Sequence, residues 1–277
     1  MKYKKKLKNL DRPDWTSNNF RSPNKLWLDK NENTDELLFK SAKKILKSIN
    51  KNSIFSYPNL GPLYLKLSKS LNISPQNLLL TAGSDAGIKI VFETFVNEKD
   101  RVIRPNPTFA MYAVYNKIFN CKEITLEYEK TNEGPKIFLK KIIKSIKKNK
   151  PKLFCLPNSD SPSGHAFKIN EIEKILSAAR QVNSFVLIDE AYYPFFPNTC
   201  IKLIKKYNNL IITRTTAKAW GLAGLRVGYV ISSKANIKEM HKLRPMYEIN
   251  NLGAEFLNKY LSNKKIVNSS VKRLLSG

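Results

Sequence analysis

The residues with the clearest chemical potential lie in the segment TRTTAKAWGLAGLRVGY, residues 213–229. Lys218 stands there between small hydroxyl-bearing residues and a glycine-punctuated apolar run that ends at Arg226. A lysine packed against backbone is expected to have a lowered pKa, because desolvation disfavours its charged form, and the neutral amine is a nucleophile. The planar guanidinium of Arg226 suits a phosphate. Together the two groups suit a cofactor with both a carbonyl and a phosphate, and pyridoxal phosphate is the candidate.

A second chemical motif is FVLIDEAYYPF, residues 185–195, in which an apolar strand ends in two acids. Because such a strand is expected to be buried on both faces, Asp189 needs a cationic or hydrogen-bonded partner. By itself, the motif could equally be a helix cap or a structural salt bridge. Beside a pyridine ring, an ionised Asp189 would keep the ring nitrogen protonated and strengthen the ring as an electron sink. Tyr192 could donate to the phenolic oxygen of that ring, or be an ordinary half-buried tyrosine.

The elements that must position these groups alternate between strands and helices. Apolar runs predict strands at residues 78–81, 101–104, 123–126, 152–156, 185–188, 210–213 and 227–232. Helical spacing predicts helices at 36–49, 63–71, 83–95, 108–119, 137–146, 170–182, 236–243 and 252–260, with another beginning at the C-terminus. This order predicts an α/β fold with a mostly parallel central sheet and helices on both faces.

Ligands of such a sheet gather where strands end and helices begin. The chemically suggestive residues fall at such places: Ser84 and Asp85, residues 106–109, 158–164 and 189–192, and Lys218. Ser84 or Asp85 is also the predicted cap of the helix that begins there. This coincidence favours a ligand site over a purely structural role.

Composition narrows the class of protein. The chain has 277 residues, of which 42% are hydrophobic and 10% aromatic, so it can bury a sizeable core. No apolar run is long enough to span a membrane, and the basic start lacks the apolar core of a signal peptide. Cys121, Cys155 and Cys200 lack metal-ligand spacing and a disulfide framework. We therefore expect a cytoplasmic protein without a bound metal.

The net charge of +27 allows two interpretations. It could form a binding surface for nucleic acid or an anionic membrane. Alternatively, the lysines are spread over solvated faces, since they recur from Lys2 to Lys272 and no zinc-finger or RNP-type motif organises them. We favour the second interpretation and expect no nucleic-acid or membrane partner.

Further motifs make the sequence similar to the fold-type I pyridoxal-phosphate enzymes of aminotransferase class I/II. Together with the two segments above, they occur in the family's order: LDKNEN (28–33), YP (57–58), LLLTAGSDAGI (78–88), PNPTFAMY (105–112) and LPNSDSPSG (156–164). The sequence most resembles the histidinol-phosphate aminotransferase branch, which also contains threonine-phosphate decarboxylases. This resemblance covers approximately residues 26–260 and implies an aspartate-aminotransferase-like large domain that binds pyridoxal 5'-phosphate.

The resemblance also implies roles for the residues around the cofactor ring. Lys218 would form the internal Schiff base and later move a proton between the substrate α-carbon and the cofactor. Asp189 would pair with the pyridine nitrogen, and Tyr192 would hydrogen-bond the ring oxygen. Phe109 would stack on the ring, although its helical spacing from Tyr112 alone would indicate a core aromatic.

Other implied roles concern the phosphate and the neighbouring subunit. The backbone amides of Ser84 and Asp85, at a helix N-terminus, would bind the phosphate together with Arg226. Tyr57 resembles a tyrosine that reaches the phosphate of the other subunit, which implies a homodimer. Asn31 resembles a residue that lines the substrate entrance.

Two departures from the family pattern affect cofactor contacts. Ala217 stands where the family has a serine, so one phosphate hydroxyl is missing, and Thr215 or Thr216 could replace it. Ser161 stands where many members have asparagine, and its shorter side chain would reach less far toward the ring oxygen or leave that hydrogen bond absent. Asn158 could substitute for that asparagine.

A third departure concerns the C-terminal part of the family. The sequence stops at Gly277, before the family's arginine for the substrate carboxylate. Arg273 comes too early to match it and is expected to be solvated, and no motif assigns Arg244 that task. The expected domains are an N-terminal arm and small-domain helix at 1–50, a pyridoxal-phosphate-binding large domain at 51–255, and the start of an incomplete small domain at 256–277.

These observations predict an aminotransferase that exchanges an amino group between an amino-acid-type substrate and a 2-oxo acid. A threonine-phosphate decarboxylase-like enzyme would use the same cofactor residues. A truncated, catalytically impaired homologue that still binds pyridoxal phosphate is the other alternative.

Overall fold

The computed structural model describes residues 10, 16, 21, 22, 24, 25 and 27–276, so most of the predicted N-terminal arm lies outside the described residues. The strands in this part of the chain are β1 (Leu78–Thr81), β2 (Arg101–Asn106), β3 (Lys122–Glu127), β4 (Glu129–Thr131), β5 (Gly134–Lys136), β6 (Leu153–Pro157), β7 (Phe185–Asp189), β8 (Leu210–Thr215) and β9 (Gly228–Ser232). All seven predicted strands are present, and only the short β4–β5 hairpin was not predicted.

Seven of these strands form one central sheet in the order β1-β9-β8-β7-β6-β2-β3. The pairs from β8 through β7, β6 and β2 to β3 are parallel, whereas β9 runs antiparallel to both of its neighbours. The prediction of a mostly parallel sheet is therefore confirmed. Because β1 and β8 run in the same direction, the carboxyl ends of β1, β2, β6, β7 and β8 share one edge of the sheet.

Helices cover both faces of the sheet, as predicted. They are α1 (Glu36–Lys47), α2 (Asn52–Phe55), α3 (Gly61–Leu71), α4 (Gly83–Phe95), α5 (Met111–Ile118), α6 (Leu139–Asn149), α7 (Ile169–Arg180), α8 (Lys234–His241), α9 (Asn251–Tyr260) and α10 (Lys264–Ser276). Helices α4, α5 and α8 contribute to one core cluster, and α3, α6, α7 and α9 to the other.

The central strands are hydrophobic throughout because both of their faces are covered. Every residue of β6 and β8 is buried. Successive side chains of β7 enter opposite cores: Leu187 packs with the α4 and α5 layer, and Ile188 packs with the α6 and α7 layer. This alternation also decides which way the two acids at the end of β7 point.

The structure corrects one predicted helix cap and one predicted helix start. The N-cap of α4 is Ala82, without a side-chain hydrogen bond, so the expectation that Ser84 or Asp85 caps this helix was wrong. Both residues lie in the first turn instead. Helix α5 begins at Met111 rather than Thr108; Thr108 stays in the preceding loop, where its hydroxyl donates to Asp160.

The first and last helices pack against each other. Asp35 caps α1 by accepting from the Leu38 amide at 3.0 Å, and its carboxylate also forms an ion pair of 2.8 Å with Arg273 in α10. Arg273 therefore has a structural partner, contrary to the expectation that it is only solvated. The predicted domain division remains a prediction, and its boundary after residue 255 falls within α9.

The described residues contain neither a candidate membrane span nor a candidate metal cluster. None of the helices in this part of the chain has the length and apolar character needed to cross a bilayer. Within the same residues, no group of three or more His, Cys, Asp or Glu side chains could hold a metal ion.

Candidate active site

A cavity of about 200 Å³ opens at the shared carboxyl edge of the sheet, beside the N-terminus of α4. Nine of the eleven residues predicted to bind or act on a cofactor line it: Ser84, Asp85, Phe109, Ser161, Asp189, Tyr192, Thr215, Lys218 and Arg226. Larger grooves of about 590 to 770 Å³ lie elsewhere on the described surface, but none of these nine residues lines them. The convergence of residue types, rather than cavity size, identifies the site.

Lys218 lies in the loop that follows β8. Its side chain is half-buried, and its Nζ donates to the backbone carbonyl of Lys30. Of the two threonines expected to replace the family's serine hydroxyl, Thr215 lines the cavity, whereas the Thr216 hydroxyl donates to the Val227 carbonyl at 2.9 Å. Thr215 is therefore the residue that can contribute a hydroxyl beside Ala217.

Asp189 ends β7 and is only 5% exposed. Its carboxylate accepts hydrogen bonds from the Thr213 hydroxyl at 3.0 Å and the Tyr112 hydroxyl at 3.2 Å. Burial raises the pKa of this carboxyl to about 6, and the two hydroxyl donors only partly offset that effect. A buried carboxylate that receives hydrogen bonds from neutral groups and faces a cavity fits a protonated pyridine nitrogen.

The neighbouring acid, Glu190, has a different environment. Its carboxylate forms a buried ion pair with Arg214 at 2.8 Å and accepts from the Cys200 amide at 2.6 Å. The Arg214 guanidinium also stacks over the Tyr193 ring, 3.7 Å from its centroid. Of the two acids in this motif, Glu190 thus forms the structural salt bridge, and Asp189 faces the cavity.

The phosphate-binding prediction concerns the N-terminus of α4, where backbone N–H groups lack helical partners. Arg226 reaches this turn, with its Nη2 donating to the Ala82 carbonyl at 3.4 Å. Gly83 has a φ of +82°, which favours glycine, and a Cβ there would lie 2.6 Å from Arg226 Nη2 and displace the guanidinium. The Asp85 carboxylate accepts from the Tyr115 hydroxyl at 2.9 Å. Free helical amides and a guanidinium on one side of the cavity fit a phosphate.

The segment 30–33 covers the site from the N-terminal side. The Asn31 amide donates to the Tyr192 hydroxyl at 2.8 Å, next to the contact between Lys30 and Lys218. The Asn33 amide donates to the Ala219 carbonyl at 3.0 Å. Asn31 is thus placed beside the cavity, as the resemblance implied.

Two predicted residues do not line the cavity. Asn158 is buried, and both ends of its amide group bond the Phe167 backbone. Its Oδ1 accepts from the Phe167 N–H at 2.7 Å, and its Nδ2 donates to the Phe167 carbonyl at 3.2 Å. It cannot substitute for the family asparagine in this conformation, whereas Ser161 does face the cavity. Tyr57 is 78% exposed and stacks on Tyr247 with ring centroids 4.4 Å apart.

The sequence interpretation missed three supporting residues: Tyr112, Thr213 and Asp160. Tyr112 and Thr213 hold Asp189, and the spacing of Tyr112 from Phe109 indicated only a core aromatic. Asp160 is buried and accepts three hydroxyl hydrogen bonds between loops. Its position between Ser159 and Ser161 was the available signal, but two of its three partners, Thr108 and Tyr128, are distant in sequence.

Comparison with known proteins agrees with this geometry. The family model for aminotransferase class I and II matches residues 23–276. The histidinol-phosphate aminotransferase of Caldanaerobacter subterraneus subsp. tengcongensis is 34% identical over 233 residues, which are 83% of this chain and 64% of that protein. The chain therefore spans somewhat less than two thirds of that relative's length.

Solved structures share the fold. The histidinol-phosphate aminotransferase of Sinorhizobium meliloti in complex with pyridoxal-5'-phosphate superposes with a TM-score of 0.77 at 18% identity, covering 89% of this chain and 67% of that one. The L-threonine-O-3-phosphate decarboxylase of Porphyromonas gingivalis gives a TM-score of 0.70 at 22% identity, covering 82% and 70% of the two chains. The fold, the site and the family match show that this chain belongs to the class I and II aminotransferase family.

The close packing of β9 against α4 gives a first prediction. A Cβ on Gly228 would lie 2.4 Å from the Gly83 carbonyl carbon and 2.5 Å from the Ser84 nitrogen, both backbone atoms. Gly228→Ala is therefore expected to displace the first turn of α4 and to lower the free energy of unfolding by about 2 kcal/mol in urea titrations. Gly224→Ala is the matched control, since nothing lies within 4 Å of its added Cβ. Equal stabilities of the two variants would contradict the packing argument.

The raised pKa of Asp189 gives a second prediction. Between pH 3.8 and about 6 the folded protein binds this proton more tightly than the unfolded chain, so this contribution to stability is lost as the pH rises. Relative to Asp189→Asn, the free energy of unfolding of the wild type should fall by up to about 3 kcal/mol across this window. Chemical denaturation at several pH values, without added cofactor, measures this difference.

Glu123 provides a control of opposite sign. Burial raises its pKa, but hydrogen bonds from Arg104 and Asn116 outweigh that effect, so its pKa is lowered. Relative to Glu123→Gln, the wild type should therefore gain stability as the pH rises. A wild-type minus Asp189→Asn difference that is flat between pH 4 and 6 would show that Asp189 is not desolvated as described.

Proposed function

We propose that this chain binds pyridoxal 5'-phosphate and acts as an aminotransferase of the histidinol-phosphate aminotransferase type. It would transfer an amino group between an amino-acid-type substrate and a 2-oxo acid. The observation that carries the proposal is the meeting of three groups in one cavity: the Lys218 amine, the buried Asp189 carboxylate, and the α4 N-terminus with Arg226. The relatives from the histidinol-phosphate aminotransferase branch support the substrate class.

When bound, pyridoxal phosphate supplies an aldehyde for a lysine amine and a ring that accepts electrons from the substrate. Lys218 would bind the aldehyde and, once freed by the substrate amine, move a proton at the substrate α-carbon. Asp189 would hold the proton on the ring nitrogen, and Tyr192 would donate to the ring oxygen. Phe109 would cover one face of the ring, and Arg226 would bind the phosphate together with the Ser84 and Asp85 amides.

The cofactor proposal makes a third prediction. Addition of pyridoxal phosphate to the wild type should produce a visible absorbance band, and Lys218→Ala should abolish it, because the band requires a covalent bond to the lysine amine. Lys174→Ala, which removes an exposed lysine on α7, is the control and should keep the band. If no Lys218-dependent band forms, the proposed function fails.

The same band separates the candidate reactions. Histidinol phosphate, an aromatic amino acid or glutamate should bleach it, and 2-oxoglutarate should restore it, as expected of two half-reactions. Release of carbon dioxide from threonine phosphate would instead indicate the decarboxylase alternative. A stable band that no amino donor bleaches would identify a catalytically impaired cofactor-binding protein.

We also propose that the chain forms a homodimer in which Tyr57 reaches the site of the second copy. Support comes from its outward position and from the exposed apolar side chains beside it. Ile54, Phe55 and Met246 are 74%, 81% and 80% exposed, and the Tyr57 ring stacks on Tyr247. Exposed apolar groups of this kind mark protein interfaces.

The dimer proposal gives a fourth prediction. Phe55→Glu should shift the protein from dimer to monomer in sedimentation-velocity experiments, because a charge at the centre of an apolar interface is desolvated without a partner. Phe138→Glu is the control, a matched substitution at a phenylalanine that is 49% exposed outside this patch. A dimer that survives Phe55→Glu would exclude this face as the interface.

A reducing cytoplasm remains the proposed location. Its support is that Cys155 and Cys200 are buried free thiols in the described part of the chain. The absence of a nucleic-acid partner likewise remains a prediction.

A further inference from the structure

Asp160 is a buried carboxylate in the loop that follows β6. Its side chain is 4% exposed, and both of its oxygens accept hydrogen bonds. Oδ1 accepts from the Thr108 hydroxyl at 2.5 Å, and Oδ2 accepts from the Tyr128 hydroxyl at 2.7 Å and the Ser163 hydroxyl at 2.8 Å. Loss of any of these three hydroxyl donors would leave part of a buried carboxylate without a hydrogen bond, which is energetically costly.

These hydroxyls belong to different parts of the sheet edge. Thr108 follows β2, Tyr128 follows β3, and Ser163 lies in the same loop as Asp160, after β6. Strands β6, β2 and β3 are consecutive and parallel. One carboxylate therefore joins the segments that leave three neighbouring strands at the edge where the cavity opens.

The residues next to these contacts line the cavity. Phe109 follows Thr108 directly, and Ser159 and Ser161 flank Asp160 on either side. Asp160 and Thr108 do not line the cavity themselves. The hydrogen bond between them consequently fixes the separation of the Phe109 wall from the Ser161 wall without contacting a ligand.

The backbone of Asp160 is also fixed. Its N–H donates to the His165 carbonyl at 2.9 Å, and its carbonyl accepts from the Gly164 N–H at 2.9 Å. These two backbone hydrogen bonds hold the loop around Asp160, so a substitution at Thr108 removes a contact to a carboxylate whose backbone is fixed. Such supporting contacts hold binding groups in productive geometry.

We propose that Asp160 is a positioning residue that sets the width of the cofactor cavity by tying the loop after β2 to the loop after β6. In this role it would orient Phe109 against the ring face while Ser161 meets the ring edge. The proposal rests on the proposed function, because it assigns these two walls to pyridoxal phosphate. A direct role in substrate binding does not fit, since both carboxylate oxygens are already engaged inside the protein.

The experiment compares Thr108→Val, Thr108→Ser, Asp160→Ala and the double variant Thr108→Val/Asp160→Ala. Glu123→Gln is the matched control, because Glu123 also joins β3 to β2 and α5 through Arg104 and Asn116 but does not line the cavity. For each protein, three quantities are measured: the dissociation constant of pyridoxal phosphate, the circular dichroism of its visible band, and the melting temperature.

We expect Thr108→Val and Asp160→Ala to raise the dissociation constant roughly tenfold and to change the circular dichroism, because the ring loses a fixed wall. Thr108→Ser keeps the hydroxyl and should stay close to wild type. The double variant should equal Asp160→Ala within about twofold, since both substitutions break the same contact. Glu123→Gln should change only the melting temperature.

The proposal is overturned if Thr108→Val and Asp160→Ala lower the melting temperature but leave affinity and circular dichroism as in Glu123→Gln. It is also overturned if the effects of the two single substitutions multiply in the double variant. If pyridoxal phosphate forms no Lys218-dependent band with the wild type, the proposed function is refuted. The assignment of the Phe109 and Ser161 walls to this cofactor is then refuted as well. A wild-type band that Asp160→Ala leaves unchanged would refute the positioning role alone.

Discussion

The desolvated carboxylate of Asp189 is the constraint on which the site depends. Its pKa is raised to about 6 because burial is only partly offset by hydrogen bonds from Tyr112 and Thr213. At neutral pH this costs the folded protein on the order of 3 kcal/mol, a large part of the stability of an ordinary domain. A cation in the cavity would recover that energy. The fold therefore maintains, at a measurable cost, a position whose electrostatics suit a protonated ring nitrogen.

The adjacent acid shows how the same sequence motif supports both structure and chemistry. Asp189 and Glu190 point to opposite faces of the sheet because side chains alternate along a strand. On one face, Glu190 is neutralised by Arg214 and held by the Cys200 amide. On the other face, Asp189 receives only hydroxyls and a backbone amide. Because of this alternation, two adjacent acids have different environments: Glu190 is in a buried ion pair, whereas no cationic side chain of the described residues neutralises Asp189.

The sequence predicted the sheet well because its signals are local. Each central strand is a short apolar run bounded by polar or glycine residues, and burial on both faces requires that pattern. The same logic accounts for seven of the nine predicted residues around the cavity, since the carboxyl ends of parallel strands meet at one edge. The family motifs added the chemical roles, which neither periodicity nor composition could supply.

The errors fall where distant residues decide the outcome. The helix predicted from Thr108 begins instead at Met111, and the Thr108 hydroxyl donates to Asp160 in the loop after β6. The start of α4 at Gly83 was correct, but its cap is Ala82 rather than Ser84 or Asp85. Asn158 is similarly committed to the Phe167 backbone. These contacts join segments that no local pattern connects, and therefore a single sequence could not reveal them.

Lys218, the lysine proposed to bind the cofactor, is also coupled to elements outside the sheet. Lys218 and Tyr192 are hydrogen-bonded to Lys30 and Asn31 in the segment 30–33. Asn33 of this segment donates to Ser270 of α10 at 3.1 Å. Two residues later, Asp35 caps α1 and pairs with Arg273. The positions of Lys218 and Tyr192 therefore depend on how α1 and α10 pack together. A substitution in α10 can therefore shift Lys218 without contacting the cavity, because the contacts of Lys30, Asn33 and Asp35 lie within six consecutive residues.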